Sequence, residues 1–226
     1  MTPELLASIR ECSQRAEHEV CGVLIHRSNE AVYVPCHNLS DIPGRGRFSP
    51  VDLARAEDMG PVLGYVHTHD VGCTPSPVDL KFCLESHKPW WIVSPTAWFR
   101  MSSNLELQKR RFAWGIQDCF TLIRDWFEGE GIVFQDFERS KDFWKFGMNP
   151  YMDGMADAGF ELINKDPERG DVILMGIDTV DCIPNHAAIH IGDGNILHHL
   201  PNRLSMVELY DGFYQRSTLA VARRIR

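Results

Sequence analysis

NHAAIHIGDGNILHHL, residues 185–200, decides how the second half of the chain is read. Its apolar residues alternate around Asp193-Gly194, a dipeptide that favours the tight turn of a β-hairpin. Strand side chains alternate faces, so His186, Ala188 and His190 share one face of the first strand. A two-residue loop would bring His199 to that face from the opposite strand, and a three-residue loop would bring His198. Upstream, ERGDVILMGI (168–177) reads as a strand after a Gly-Asp turn, and DCFTLIRDWFEGE (118–130) as a helix. Helix first and strands after predict a compact α+β domain.

Cys119 starts that helix. The partial positive charge of a helix N-terminus is expected to stabilise a thiolate there and to lower the thiol pKa. A cysteine nucleophile also needs a base within hydrogen-bond reach and a third polar group to orient the base. His186, with His198 or His199, supplies both. The ordered set DCFTLIRDWF, RGDVILM and NHAAIHIGDGNILHH resembles the NlpC-type papain-like cysteine peptidases over roughly residues 110–226. That resemblance implies that Cys119 attacks a stem-peptide amide of bacterial peptidoglycan and that His186 is its base. It also implies that His198 orients the imidazole, with His199 the alternative, and that backbone N–H groups at the helix start hold the oxyanion.

The first half alternates helical and strand-like patterns. MTPELLASIREC reads as a helix capped by Thr2 with Pro3 in the first turn. EVCGVLIH (19–26) and AVYVPC (31–36) read as strands around a turn at Arg27 to Glu30. PVDLARAEDM (50–59) and PVDLKFCLESH (77–87) read as helices, PVLGYVHTH (61–69) and WWIVSP (90–95) as strands. Alternating elements predict an α/β layered domain. The polar stretch MSSNLELQKRR (101–111) is the expected boundary, giving domains 1–105 and 110–226.

His67 and His69, two apart on a predicted strand, point the same way and make half of a metal site. Asp79 is a candidate third ligand, since catalytic Zn²⁺ takes three protein ligands and keeps a fourth position for water. Glu19, on an earlier predicted strand, is the candidate base, and Ser76 the candidate donor to an oxyanion. A plainer reading covers two of these residues. SPVDL occurs twice, at 49–53 and 76–80, and Ser, Pro and Asp in that order make an ordinary helix start. Only the second copy follows an HxH. Taken together, Glu19, His67-Thr68-His69, Ser76 and Asp79 resemble the JAMM (JAB/MPN) metalloprotease family over roughly residues 1–100. EVCGVLI and NLSDIPGRGRFSP are similar to that family's early segments, although six residues separate His69 from Ser76 here instead of the usual seven or so. The resemblance implies a JAMM-type α/β fold, zinc on His67, His69 and Asp79, and Glu19 as base.

The 226 residues are 44% hydrophobic and 24% charged, which excludes a disordered chain. Lys and Arg number 23 against 31 Asp and Glu, so the net charge of −8 offers no electrostatic footprint for nucleic acid. Seven cysteines, an odd number without a CxxC pair, predict reduced thiols and not a disulfide framework. No apolar run approaches the roughly 20 residues of a membrane span, and the N-terminus has no signal-peptide pattern, so the expectation is synthesis in a cytoplasm and no integral membrane segment. The order JAMM-like then NlpC-like is similar to a family of tail tip proteins of lambda-like siphophages. That resemblance implies synthesis in a bacterial host cytoplasm and a virion tail tip component that meets other tail tip and hub proteins and reaches peptidoglycan on the particle. Two other readings compete: a structural assembly component with degenerate active sites, and a cellular JAMM isopeptidase.

Overall fold

The structure is a computed structural model and describes residues 1–42, 45–102, 106–134, 136–179 and 182–225. The chain divides into two compact units, Met1–Leu105 and Glu106–Arg226. The predicted domain ends at 105 and 226 lie outside the described residues, as do positions 43–44 of NLSDIPGRGRFSP. Among the described residues no helix is long and apolar enough to cross a membrane.

In the first unit the order is α1 (Pro3–Gln14), β1 (Cys21–Arg27), β2 (Glu30–Cys36), α2 (Pro50–Met59), β3 (Val62–Thr68), α3 (Pro77–Ser86), β4 (Trp90–Val93) and β5 (Trp98–Met101). The sheet order is β2-β1-β3-β4-β5, antiparallel except for the parallel pair β3/β4. Thr2 caps α1 by accepting the Leu5 N–H at 3.2 Å. Ser28 and Asn29, at φ 50° and 64°, close the β1/β2 hairpin with the left-handed pair that suits strand twist. Cys21, Val23 and Ile25 alternate onto the face that packs with Val34, Cys36 and Ala56. All four residues of β4 are buried, as expected of a strand covered on both faces.

In the second unit the order is α4 (Cys119–Gly129), α5 (Pro150–Asp153), β6 (Phe160–Ile163), β7 (Val172–Met175), β8 (His186–Gly192), β9 (Asn195–His198), β10 (Met206–Leu209), α6 (Gly212–Ser217) and β11 (Thr218–Arg224). The strands form one antiparallel sheet in the order β10-β9-β8-β7-β11-β6. Leu122, Ile123, Trp126 and Phe127 fall at helical spacing on α4 and pack in one core with Leu174, Ala187, Ile189 and Leu197 of the sheet. Truncating such a side chain, Leu122 for example, costs about 2–5 kcal/mol.

The polar side of α4 is buried as well. Arg110 reaches Asp125 at 2.6 Å, Asp125 reaches Arg124 at 3.0 Å, Arg124 pairs with Asp136, Asp136 reaches Arg139 at 2.7 Å, and Arg139 reaches Asp118 at 2.8 Å. Six buried charges alternate in sign, so each desolvated ion has an opposite partner, which is the condition for keeping it charged. Lys109 and Arg110 also donate backbone N–H groups to Ser205, at 2.8 and 2.9 Å, so the end of the polar boundary stretch is structured within this unit.

Candidate functional sites

In the first unit, β3 delivers His67 from its interior, and His69 follows the strand's last residue, held by its N–H to the Val93 carbonyl at 2.9 Å. Asp79 sits in the first turn of α3, where Ser76 caps the helix. Ser76 Oγ accepts the Asp79 N–H at 3.2 Å, and the Ser76 N–H donates to Asp79 Oδ2 at 2.8 Å. This box turns the carboxylate back to both imidazoles, with Oδ1 3.0 Å from His67 Nδ1 and Oδ2 3.4 Å from His69 Nε2. One ligand atom from each of the three residues lies within 4.8 Å of the other two. The six-residue loop from His69 to Ser76 therefore spans the distance. Burial pushes the Asp79 pKa up, but the hydrogen bonds of His67, His69 and Ser76 outweigh it and hold the carboxyl well below the usual range. The hydrogen bond to Asp79 raises the pKa of His69.

Glu19 lies two residues before β1, not on a strand as predicted. The Val20 N–H donates to Thr68 Oγ1 at 2.8 Å and the Thr68 N–H donates to the Val20 carbonyl at 2.9 Å, so the residue between the two histidines fixes the segment that carries Glu19. Asn38 also donates from Nδ2 to the Glu19 carbonyl at 2.9 Å. Glu19 Oε2 comes 3.4 Å from His67 Nε2, and both atoms are buried with no hydrogen-bond partner. Gly46 closes over the same ring, where an added Cβ would stand 3.2 Å from His67 Nε2. Two imidazoles, an ionised carboxylate and an orphaned glutamate oxygen form a donor set that fits Zn²⁺. Thr68, Asn38 and Gly46 carry no sequence signal of this role. The other SPVDL copy is the control: Ser49 caps α2, but Asp52 takes the exposed His37 ring at 2.7 Å and, among the described residues, faces no second imidazole.

In the second unit, Asp118 caps α4 by accepting the Thr121 N–H at 2.9 Å, while the Thr121 hydroxyl lies 2.8 Å from the Asp118 N–H that it accepts. Cys119 and Phe120 are then the first two helix positions, whose N–H groups have no carbonyl one turn back. Cys119 is 2% exposed. Its sulfur lies 3.1 Å from the Tyr151 hydroxyl and accepts from the Ala187 N–H on β8, one residue after His186. The expected depression of its pKa is overturned. Burial and then the Asp118 carboxylate push the thiol up to about 11, against the smaller opposing effects of Tyr151, Ala187 and Arg139. The helix-end effect is general, but the sequence carries no record of how deeply this sulfur is buried.

The hairpin has a two-residue turn, yet it does not bring His199 to the His186 face as that loop length predicted. Gly192 pairs with Asn195 and His190 with Ile196, leaving Ile191 as an extra residue in β8. This bulge shifts the register by one and sets His198 opposite Ala188. His186 Nε2 is 3.1 Å from His198 Nδ1, and His198 Nε2 is 2.7 Å from Glu208 Oε2. The Tyr214 hydroxyl donates to the same oxygen at 2.5 Å. His199 points away, edge-on to Phe112 at 5.2 Å between ring centres. Burial lowers the pKa of His186 well below the usual histidine range, lowers that of His198, and pulls that of His199 down to about 4. Glu208, Tyr214 and Tyr151 were invisible as site residues, because short edge elements and a brief helix supply them.

Residues 109–223 match the NlpC/P60 family and residues 2–111 match the prokaryotic homologs of the JAB domain. Tail tip assembly protein K of Escherichia phage lambda is 37% identical over 172 residues, which cover 75% of this chain and 85% of that protein. Tail tip assembly protein K of Escherichia phage N15 is 34% identical over 214 residues, covering 91% of this chain and 87% of that one. A solved structure of an NlpC/P60 family protein from Bacillus cereus aligns at 14% identity with a TM-score of 0.36, over 96% of this chain and 67% of that one. The chain belongs to the family of tail tip assembly protein K, with a JAB-like domain followed by an NlpC/P60 domain.

Proposed function

We propose that this tail tip assembly protein is also a peptidoglycan endopeptidase, and that its C-terminal domain hydrolyses a stem-peptide amide while the tail crosses the wall. The observation that carries the reading is the hydrogen-bonded line from His186 through His198 to Glu208, with Ala187, the residue after His186, donating its N–H to the sulfur of a cysteine at a helix start. Cys119 Sγ attacks the amide carbonyl carbon as His186 takes the thiol proton. The N–H groups of Cys119 and Phe120 receive the oxyanion. His186 then gives the proton to the leaving amine as the C–N bond breaks, and water hydrolyses the remaining thioester. Digestion of purified peptidoglycan, with mass analysis of the products, tests this. Wild type releases muropeptides and Cys119→Ala releases none; equal release would remove Cys119 from the mechanism.

In the JAB-like domain, His67, His69 and Asp79 would hold Zn²⁺, which when bound makes a coordinated water acidic enough to attack at neutral pH. Glu19 would take the proton of that water, and Ser76 would donate to the developing oxyanion. Elemental analysis decides: near-stoichiometric zinc in the wild type, lost in His67→Ala, supports the set, and a zinc-free wild type sinks it.

A second reading has its own support. The Cys119 thiol is buried, un-ionised and held by Tyr151, as suits a domain kept for assembly alone. Phage carrying Cys119→Ala separates the two, since normal tails with poor penetration indicate an enzyme and absent tails indicate a scaffold.

A further inference from the structure

Glu208 lies on β10 and accepts two hydrogen bonds on one oxygen, from Tyr214 at 2.5 Å and from His198 Nε2 at 2.7 Å. The Arg203 guanidinium stands 3.7 Å from the same oxygen. Despite partial burial, the hydrogen bonds from Tyr214 and His198 and the charge of Arg203 favour the carboxylate. An ionised carboxylate only accepts, so His198 Nε2 must carry the hydrogen between them. A neutral imidazole has one N–H, so His198 Nδ1 is then an acceptor. His186 Nε2, 3.1 Å away, must therefore donate to it. Its own single hydrogen is thereby placed on Nε2, and Nδ1 is left with a bare lone pair.

We propose that Glu208 is a positioning residue: acting through His198, it holds the His186 hydrogen on Nε2 and keeps Nδ1 free to take the proton of the Cys119 thiol. This rests on reading Cys119 and His186 as nucleophile and base. The relay is then a four-residue line in which the last member sets the tautomer of the second. A side chain at 208 that donates to His198 Nε2 would reverse every hydrogen in the line and place one on His186 Nδ1, leaving no bare lone pair there to take a thiol proton.

The full chain with ¹⁵N-labelled histidines tests this without substrate. In the wild type, the His186 ring should show the Nε2–H tautomer; an Nδ1–H form or an even mixture overturns the proposal, whatever any variant does. Glu208→Lys puts at this position an ammonium, which can only donate to His198. It should move His186 to Nδ1–H and slow alkylation of Cys119 by iodoacetamide about 100-fold. A folded Glu208→Lys protein with the His186 tautomer and alkylation rate of the wild type also overturns it. The peptidase reading fails on a different result, muropeptide release that survives Cys119→Ala, which leaves the tautomer measurement intact.

Discussion

Each domain brings a pair of histidines together, and the two pairs are connected differently. His67 and His69 both turn to one carboxylate, Asp79, at 3.0 and 3.4 Å. His186 and His198 stand in line, the first hydrogen-bonded to the second at 3.1 Å and the second to Glu208 at 2.7 Å. Convergence gathers lone pairs around one point, which suits a cation. A line fixes where each hydrogen sits, which suits proton transfer. The residue types are nearly the same in both places, so the chemistry follows from whether neighbours share a partner or pass one along.

The sharpest way to break this contrast is to exchange the losses. His186→Ala should reduce muropeptide release about 10³-fold or more and leave the zinc content unchanged. His67→Ala should do the reverse. If either substitution removes both properties, the two sites are not separate chemistries.

Next in size is the ion ladder behind the linear site, a feature of the second domain. Arg139→Met takes from Asp118 its ion partner and leaves Asp136 with Arg124 alone, and urea unfolding followed in the second domain should show a loss of about 3–5 kcal/mol. A loss below 1 kcal/mol would mean that water reaches those carboxylates.

Acid should also act on the second domain through its buried histidines. The pKa of His199 is about 4 in the fold, against about 6.5 in an unfolded chain. The unfolded state therefore binds the proton first as pH falls. The stability is fully present above pH 6.5 and is lost as pH falls toward 4. Between pH 7 and pH 5 this one group removes about 2 kcal/mol, and His186 and His198 act in the same direction. His199→Leu should lose correspondingly less over that range, measured as the shift in urea midpoint. An unaltered pH slope would exclude His199 from it.

The smallest effect separates the two SPVDL copies. Ser49→Ala and Ser76→Ala should each cost about 1 kcal/mol as lost helix caps. Only Ser76→Ala should weaken zinc retention, because only its partner Asp79 faces two imidazoles. Equal zinc content in both variants would reduce Ser76 to a cap.

Much of this was legible in the sequence, for identifiable reasons. Thr2 and Pro3, the two SPVDL starts and Asp118 mark helix ends through side chains that satisfy N–H groups locally, and those helices begin where expected. The pairing of His67 with His69 follows from strand alternation alone. What failed to show depended on contacts far along the chain. The bulge at Ile191, which selects His198 over His199, changes no residue type in the hairpin. Glu208 sits in MVEL, an edge strand too short and too exposed to give a periodic signal. The acidity of Cys119 was read with the wrong sign because a helix end is local, whereas the burial that outweighs it comes from packing between segments distant in the chain.

The shielding of that sulfur bears on how long the protein lasts. Peroxide and molecular oxygen attack thiolates, not thiols. With a pKa of about 11, the ionised fraction at pH 7 is on the order of 10⁻⁴. Under the proposed function, Cys119 would thus age slowly in a particle waiting outside a cell. Cys182, exposed on a loop, is the built-in comparison: peptide mass analysis after graded peroxide should find sulfinic and sulfonic acids at Cys182 well before Cys119, and the opposite order would show that the resting site opens far more often than its packing allows.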